Sequence, residues 1–427
     1  MRRPTRQRVA RGRSLVGERY TVEVGPIAHG GHCVARHEGR VVFVRHTLPG
    51  ERVVAQVTEG DEGSKFLRAD AVEVLSASPD RVDPPCTFSG PDRCGGCDFQ
   101  HVRLSAQREL KAAVVREQLQ RVAKVDVDVV VEAVPGDREG LDWRTRVQFA
   151  VGPDGRPGLR KHRSRELVHV DHCPISHPGL PEVLDRTWSG LESVEAIRST
   201  TGEQLLVETP PGPEGLRLEG PSVLHEQAGG REFEVSGSGF WQVHPGAADV
   251  LTSAVLSALE PRPGERALDL YAGVGLFSAF VAERVGPEGS VVAVESDATA
   301  VEDAARNLAD LTQVEPVVSR VEVALRRGAV GEHADLVVLD PPRVGAKREV
   351  VEAVVGLGPR SVAYVACDPG ALARDVAIFA EHGYRLESLR AFDIFPMTQH
   401  VECVALLTRV PDLARRPRHS VGTVHRA

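Results

Sequence analysis

Short stretches in which apolar and polar residues alternate open the chain. Tyr20–Val24, Arg40–Arg45 and Arg52–Val57 are rich in β-branched residues and are separated by Gly30-Gly31, Pro49-Gly50 and Gly60. Alternation with a period of two, broken by closely spaced turn residues, predicts a small β-barrel that ends near Ser78. Pro79, Pro84 and Pro85 interrupt this pattern, and apolar residues then recur at helical spacing from about Leu104 to Val122. Residues from about 125 to 240 read as mixed strands and loops with frequent Gly and Pro.

From about Pro245 the pattern changes to strand and helix in alternation. A helix over about Ala247–Leu259 leads into the strand Arg266–Leu270, the turn Ala272–Gly275, a second helix, the strand Ser290–Glu295 and a helix to about Leu311. The strands Ala334–Asp340 and Ser361–Ala366, a helix over about Ala371–Glu381 and a final pair of strands follow. Such alternation predicts a mostly parallel, doubly wound sheet that binds ligands at the carboxyl ends of its strands. The expected fold class is multidomain: a small β-barrel over 17–78, a central α+β domain over 79–244 and a Rossmann-like α/β domain over 245–410. A basic disordered arm (1–16) and a basic tail (411–427) flank them, and no internal repeat is evident.

Composition narrows the class without fixing it. With 427 residues, 26% charged and 41% hydrophobic, the chain is long enough for two or three domains with cores of their own. It has no apolar run of the roughly 18 residues that would suggest a membrane span. Its Arg-rich start lacks the apolar segment of a secretory signal, so a cytoplasmic location is expected. The net charge of −8 does not favour RNA, but both tails are basic, and local patches outweigh the total. Seven cysteines without an export signal argue against a disulfide framework.

Several residues carry candidate chemistry. In Asp269–Gly275 the glycines Gly273 and Gly275 let a ligand approach the backbone where the first strand meets its helix. Glu295 ends the next strand, where a carboxylate can hold a ribose. Ser278 stands in place of the third glycine of the dinucleotide fingerprint, which weakens a nicotinamide reading. Asp340 precedes Pro341-Pro342-Arg343, a stiff loop at the ligand edge, and Arg343 cannot stack on a base as the aromatic of an adenine amino-methyltransferase does.

Cys367 follows an apolar strand and lies beside a helix N-terminus, where a thiol pKa is expected to fall, although Asp368 opposes this by like charge. Glu402 is a carboxylate in an apolar strand. Burial there would raise its pKa and suit it to proton transfer, with His400 as an alternative base. Cys86, Cys94, Cys97 and Cys173, with Cys-Gly-Gly-Cys at 94–97, are four thiols able to bind zinc or an iron–sulfur cluster.

Together these residues resemble the RNA (uracil-5-)-methyltransferase family, notably members with an N-terminal TRAM domain and a four-iron cluster. The resemblance covers nearly the whole chain apart from the tails. It implies a TRAM RNA-binding barrel, OB-like, over about 17–78, and a class I methyltransferase domain over 245–410. It also implies a [4Fe-4S] cluster on Cys86, Cys94, Cys97 and Cys173, and S-adenosylmethionine at Gln242, Asp269, Tyr271, Gly273, Gly275, Glu295 and Asp340. Phe240–His244, Tyr364–Pro369 and His400–Glu402 match the family's cofactor, nucleophile and base motifs. The chain departs from the common pattern at Asp368 and His244, where asparagine is usual, at Leu276, and in the longer gap from Cys86 to Cys94.

The expected reaction is methylation of a uridine at C5 through a thiolate adduct at C6, with Cys367 as nucleophile and Glu402 as base. Large-subunit ribosomal RNA is favoured over transfer RNA as partner. No membrane or protein partner is indicated, and a monomer is expected. The alternatives are a cytosine-5 RNA methyltransferase, disfavoured because the loop after the fourth strand holds Pro341, Pro342 and Arg343, and a non-catalytic RNA-binding protein with a methyltransferase shell.

Overall fold

The structure, a computed structural model, describes residues 12–410 except residue 214. Most of the expected basic arm (1–11) and the whole basic tail (411–427) lie outside the described residues.

The alternating N-terminal segments form the strands Arg19–Ala28, His32–His37, Arg40–Arg45, Arg52–Glu59 and Phe66–Ser76. They close into a barrel in which the fifth strand lies between the third and the fourth. Inward positions such as Val22, Val24, Val42, Val44, Val53 and Val57 fill its core, as the period of two requires. Residues 12–16, expected in the arm, join the barrel: Leu15 is buried in its core and Ser14 bridges to Asp61. Fully buried Glu51 accepts two hydrogen bonds from Arg81, at 2.6 and 2.7 Å, which fastens the barrel to the segment after it.

The expected helix runs over Leu104–Gln118 and ends in a π-helical turn, Leu119–Ala123. It serves two cores, with Ala106 packed into the barrel and Ala112, Val115 and Leu119 packed into the C-terminal domain. Fully buried Lys111 binds Asp393 Oδ1 at 2.5 Å and the Phe395 carbonyl at 3.0 Å. Gln107 donates to the Phe99 and Val102 carbonyls and accepts from the Met397 amide at 2.9 Å. The helix therefore ties the barrel side to the segment just before Glu402.

The middle of the chain forms a six-stranded sheet around the antiparallel strands Arg146–Val151, Ser193–Arg198 and Gln204–Thr209. A separate ribbon, Val223–Ala228 with Arg231–Ser236, docks on the helix Ala298–Asn307 through buried Asp303 and Asn307. Val131–Ala133, read from sequence as part of the central region, instead pairs with the end of Tyr384–Asp393 as an edge strand of the C-terminal sheet.

That sheet has eight strands, in the order Val314–Val318, Ser290–Glu295, Arg266–Leu270, Leu336–Leu339, Ser361–Ala366, Glu402–Arg409, Tyr384–Asp393 and Val131–Ala133. Its strands pair in parallel except on either side of Glu402–Arg409, which runs against both neighbours. Helices cover both faces over two large apolar clusters, which is the doubly wound arrangement expected from the alternation. Among the described residues no helix is long and apolar enough to cross a membrane.

Candidate active site

Strand order reverses on either side of Arg266–Leu270, since the chain continues to one side through Ser290–Glu295 and later to the other through Leu336–Leu339. The crevice at this switch point is where open α/β sheets bind ligands. Asp269 and Glu295 lie at the carboxyl ends of their strands, and Asp340 directly follows Leu336–Leu339. Asp269 is buried and accepts a hydrogen bond from Ser278 Oγ at 2.6 Å, while its other oxygen has no partner. Burial pushes its carboxyl up to about 6. Asp340 is pushed up to about 7, by burial first and then by the charge of Asp269.

The turn between them exposes backbone to the crevice. Gly273 has φ 54° with open space where a Cβ would stand, and its amide donates to Glu295 Oε2 at 3.2 Å. Gly275 has φ 90° and sits so close to Leu308 that a Cβ would come within 2.8 Å of Cδ1. Tyr271, at φ 71°, adopts a conformation rare for a side chain of its size. Trp241, next to Gln242 in sequence, packs in one cluster with Val274 and Leu276.

Cys367 and Glu402 meet further along the same edge. Ser361–Ala366 and Glu402–Arg409 are antiparallel, with Ala366 opposite Cys403. Continuing that register by one residue sets Cys367 opposite Glu402, and opposed residues project from the same face of a sheet. Glu402 is only 5% exposed. Burial pushes its carboxyl well above the usual range, Asp340 adds to this and Arg343 opposes it.

The thiol corrects one expectation. A lowered pKa was expected at the helix N-terminus, but Cys367 is pushed up to about 11, first by burial and then by Glu402. The helix end is already served. Asp368 is the N-cap and its Oδ1 accepts from the Ala371 amide at 2.8 Å, while Pro369 has no N–H to offer. His400 is pushed down to about 4 by burial and by the cations Arg343, Lys111 and Arg144. Its ring lies edge-on to Phe395, 5.9 Å away.

Three residues at this edge were not singled out for what they do. Ser278, noted only as a missing glycine, holds Asp269. Arg343, noted only for not being aromatic, is the cation whose charge counters the raised pKa values of both Cys367 and Glu402. His29, in the barrel, bonds to Asp368 at 3.0 Å. A serine in the first turn of the helix that follows a strand-end acid is a signal that could have found the first, but no local signal marks the last.

Cys86, Cys94, Cys97 and Cys173 line one pocket with Phe88 and Arg144. The Gly96 amide approaches Cys94 Sγ at 3.4 Å and Gln100 Nε2 approaches Cys97 Sγ at 3.3 Å. Gly95 cannot be replaced by a larger residue, since a Cβ there would stand 2.3 Å from the His162 amide nitrogen. Among the described residues no three His, Cys, Asp or Glu side chains converge closely enough to hold a single metal ion.

The barrel matches the profile of the TRAM domain over residues 13–72, and the C-terminal sheet matches the methyltransferase small domain over 245–359. Residues 330–410, which include Cys367 and Glu402, match the tRNA (Uracil-5-)-methyltransferase profile. The 23S rRNA (uracil(1939)-C(5))-methyltransferase RlmD of Thiobacillus denitrificans is 33% identical over 438 residues, 91% of this chain and 99% of the relative. The chain belongs to the RNA (uracil-5-)-methyltransferase family. An uncharacterized RNA methyltransferase of Streptomyces avermitilis is 51% identical over 428 residues, 92% of this chain and 98% of the relative. The crystal structure of Pyrococcus abyssi tRNA (uracil-54, C5)-methyltransferase with S-adenosyl-L-homocysteine shares the fold. Its TM-score is 0.67 at 23% identity, over 91% of this chain and 99% of that one. As a member of this RNA (uracil-5-)-methyltransferase family, the chain is an enzyme that uses S-adenosylmethionine.

Proposed function

We propose that this methyltransferase forms 5-methyluridine through a covalent adduct, with Cys367 adding to C6 of the uracil and Glu402 removing the C5 proton. The observation that supports this reading is the strand register: Ala366 lies opposite Cys403, and the next positions outward are Cys367 and Glu402. Uracil C5 is a poor nucleophile until a thiolate at C6 turns the ring into an enolate. S-adenosylmethionine supplies the methyl group on a sulfonium. Glu402, whose carboxyl is held well above the ordinary range, is basic enough to take the C5 proton, after which the C6–sulfur bond breaks and the thiol is restored. In the resting enzyme the thiol is protonated, so nearby positive charge, Arg343 above all, must favour its ionisation when substrate is bound.

Asp269, Tyr271, Gly273, Gly275, Glu295, Asp340 and Gln242 would hold the methyl donor in the switch-point crevice. The unpartnered oxygen of Asp269 and the open space where a Gly273 side chain would stand support this reading. The barrel, over 17–78, would hold RNA around the flipped uridine, and residues 245–410 would carry the transfer. We further propose large-subunit ribosomal RNA as the substrate, supported by the end-to-end likeness to the 23S rRNA enzyme. Mapping 5-methyluridine in ribosomal and transfer RNA, with and without the gene, tests this. A methyl group lost only from transfer RNA would reverse the assignment.

Cys86, Cys94, Cys97 and Cys173, in the region 79–244, would hold a [4Fe-4S] cluster. The fit rests on four thiols around one pocket with N–H donors at two sulfurs. Four cysteine thiolates are a ligand set that such a cluster takes. Bound there, it would cross-link the 86–97 loop to Cys173. Methyl transfer exchanges no electrons, and no step of the reaction is assigned to the cluster.

A further inference from the structure

The first turn of the barrel reaches the loop that carries the proposed nucleophile. His29 Nε2 lies 3.0 Å from Oδ2 of Asp368, the residue after Cys367. The same carboxylate uses its other oxygen to cap the following helix at Ala371. Two residues beyond His29, Gly31 is packed so tightly that a Cβ would stand 2.8 Å from Cβ of Gln399 and 3.1 Å from Cγ of Asp98. The Gln399 amide in turn donates to Asp98 Oδ2 at 3.1 Å. One turn of the barrel thus touches both segments that carry Cys367 and Glu402, and an RNA-holding barrel joined only by a linker would have no need of either contact.

We propose that His29 is a positioning residue for Cys367: through Asp368 it fixes the nucleophile loop, so that thiol addition depends on the docked barrel. The proposal rests on the reading of Cys367 as nucleophile. With one oxygen committed to the helix and the other to the barrel, the Asp368 carboxylate cannot rotate, and the backbone that sets the direction of the Cys367 side chain is held from both ends. An aspartate here, in place of the more usual asparagine, makes the bond charge-assisted whenever the imidazole is protonated. Asp368 favours that protonation. Burial alone would raise the Asp368 carboxyl, but His29 and the helix amides keep it below its ordinary value. The other groups facing this pair are Glu117 and Arg121 from the helix and its π turn, His32 from the barrel, and His400.

The test is the single-turnover rate of adduct formation on 5-fluorouridine transcripts of 23S ribosomal RNA and of a transfer RNA, with saturating S-adenosylmethionine. The thiolate adds at C6, C5 takes the methyl group, and S-adenosylhomocysteine leaves. Fluorine at C5 cannot be removed as a proton, so the carbon–sulfur bond persists and is counted on a denaturing gel. His29→Ala should slow this step roughly tenfold at saturating RNA, because misplacing a reacting group is costly. Donor affinity and melting temperature should not change. His29→Gln, which keeps a hydrogen-bond donor, should recover most of the rate and lose the pH dependence that the imidazole gives the wild type. Adding Asp368→Asn to His29→Ala should slow the reaction no further, since residues acting through one bond are not additive. A wild-type rate in His29→Ala, a change confined to RNA affinity, or losses that multiply would each overturn the proposal while leaving Cys367 in place. No adduct from the wild type would overturn the Cys367 reading and this proposal with it.

Discussion

Cys367 and Glu402 leave two antiparallel neighbours of the sheet as an opposed pair, one residue beyond the rung formed by Ala366 and Cys403. The carboxylate in that relation disfavours the thiolate beside it, and burial and Glu402 head the causes that lift Cys367 to about 11. The thiol is therefore protonated at rest, and several consequences can be measured.

Alkylation of Cys367 by iodoacetamide in the free enzyme, followed by mass analysis of its peptide, should rise about tenfold per pH unit with no plateau near the ordinary thiol value. Glu402→Gln removes the neighbouring charge and should move the curve to lower pH. A plateau below pH ~9 in the wild type would show that the thiol is not suppressed.

Asp340 gives a stability prediction with a definite sign. Its carboxyl is raised from 3.8 to about 7 in the folded protein, so the fold holds that proton more tightly than the unfolded chain does. The stabilisation is complete below 3.8 and is lost as pH climbs through about 7. Asp340→Asn should thus gain on the order of 2 kcal/mol over the wild type at pH ~8 and little in acid, while methyl transfer falls. A difference in melting temperature that does not vary with pH would count against the buried charge.

The buried pair of Lys111 and Asp393 joins the helix Leu104–Gln118 to the C-terminal sheet. Lys111→Met leaves a buried carboxylate without its cation and should cost about 3–5 kcal/mol in urea unfolding. Replacing Asp393 by leucine as well should return much of that loss. A single variant as stable as the wild type would mean the pair is not desolvated.

Much of this was legible in the sequence because it is written locally. Alternation predicted the barrel, the strand–helix alternation predicted the doubly wound sheet, and Asp269–Gly275, Glu295 and Asp340 fall at strand ends whatever the strand order. Glu402 stood out because a carboxylate in an apolar strand is costly unless it has a task. What could not be read depends on residues that meet only in the fold. His29 and Asp368 are 339 residues apart, and Val131–Ala133 joins a sheet whose other strands lie far downstream. The thiol of Cys367 was expected to be acidic because its helix is local, whereas the burial and the Glu402 charge that make it weakly acidic come from elsewhere.

The cysteine pocket yields a prediction independent of turnover. Protein purified without oxygen should be brown, with iron and sulfide in about equal amounts near four of each per chain. Cys97→Ala should lose the colour and melt at a lower temperature. Colourless protein with one zinc per chain and all four cysteines intact would contradict the cluster.

The most direct measurement is a denaturing gel of the enzyme mixed with S-adenosylmethionine and unmodified 23S ribosomal RNA transcript, comparing Glu402→Gln, Cys367→Ala and the double variant. If Cys367 attacks C6 and Glu402 removes the C5 proton, Glu402→Gln should transfer one methyl group and then accumulate a slowly migrating protein–RNA band, because the sulfur cannot be expelled until that proton leaves. Cys367→Ala and the double variant should form no band and transfer no methyl. Near-normal turnover by Cys367→Ala, or a Glu402→Gln band that survives replacement of Cys367, would contradict the covalent mechanism.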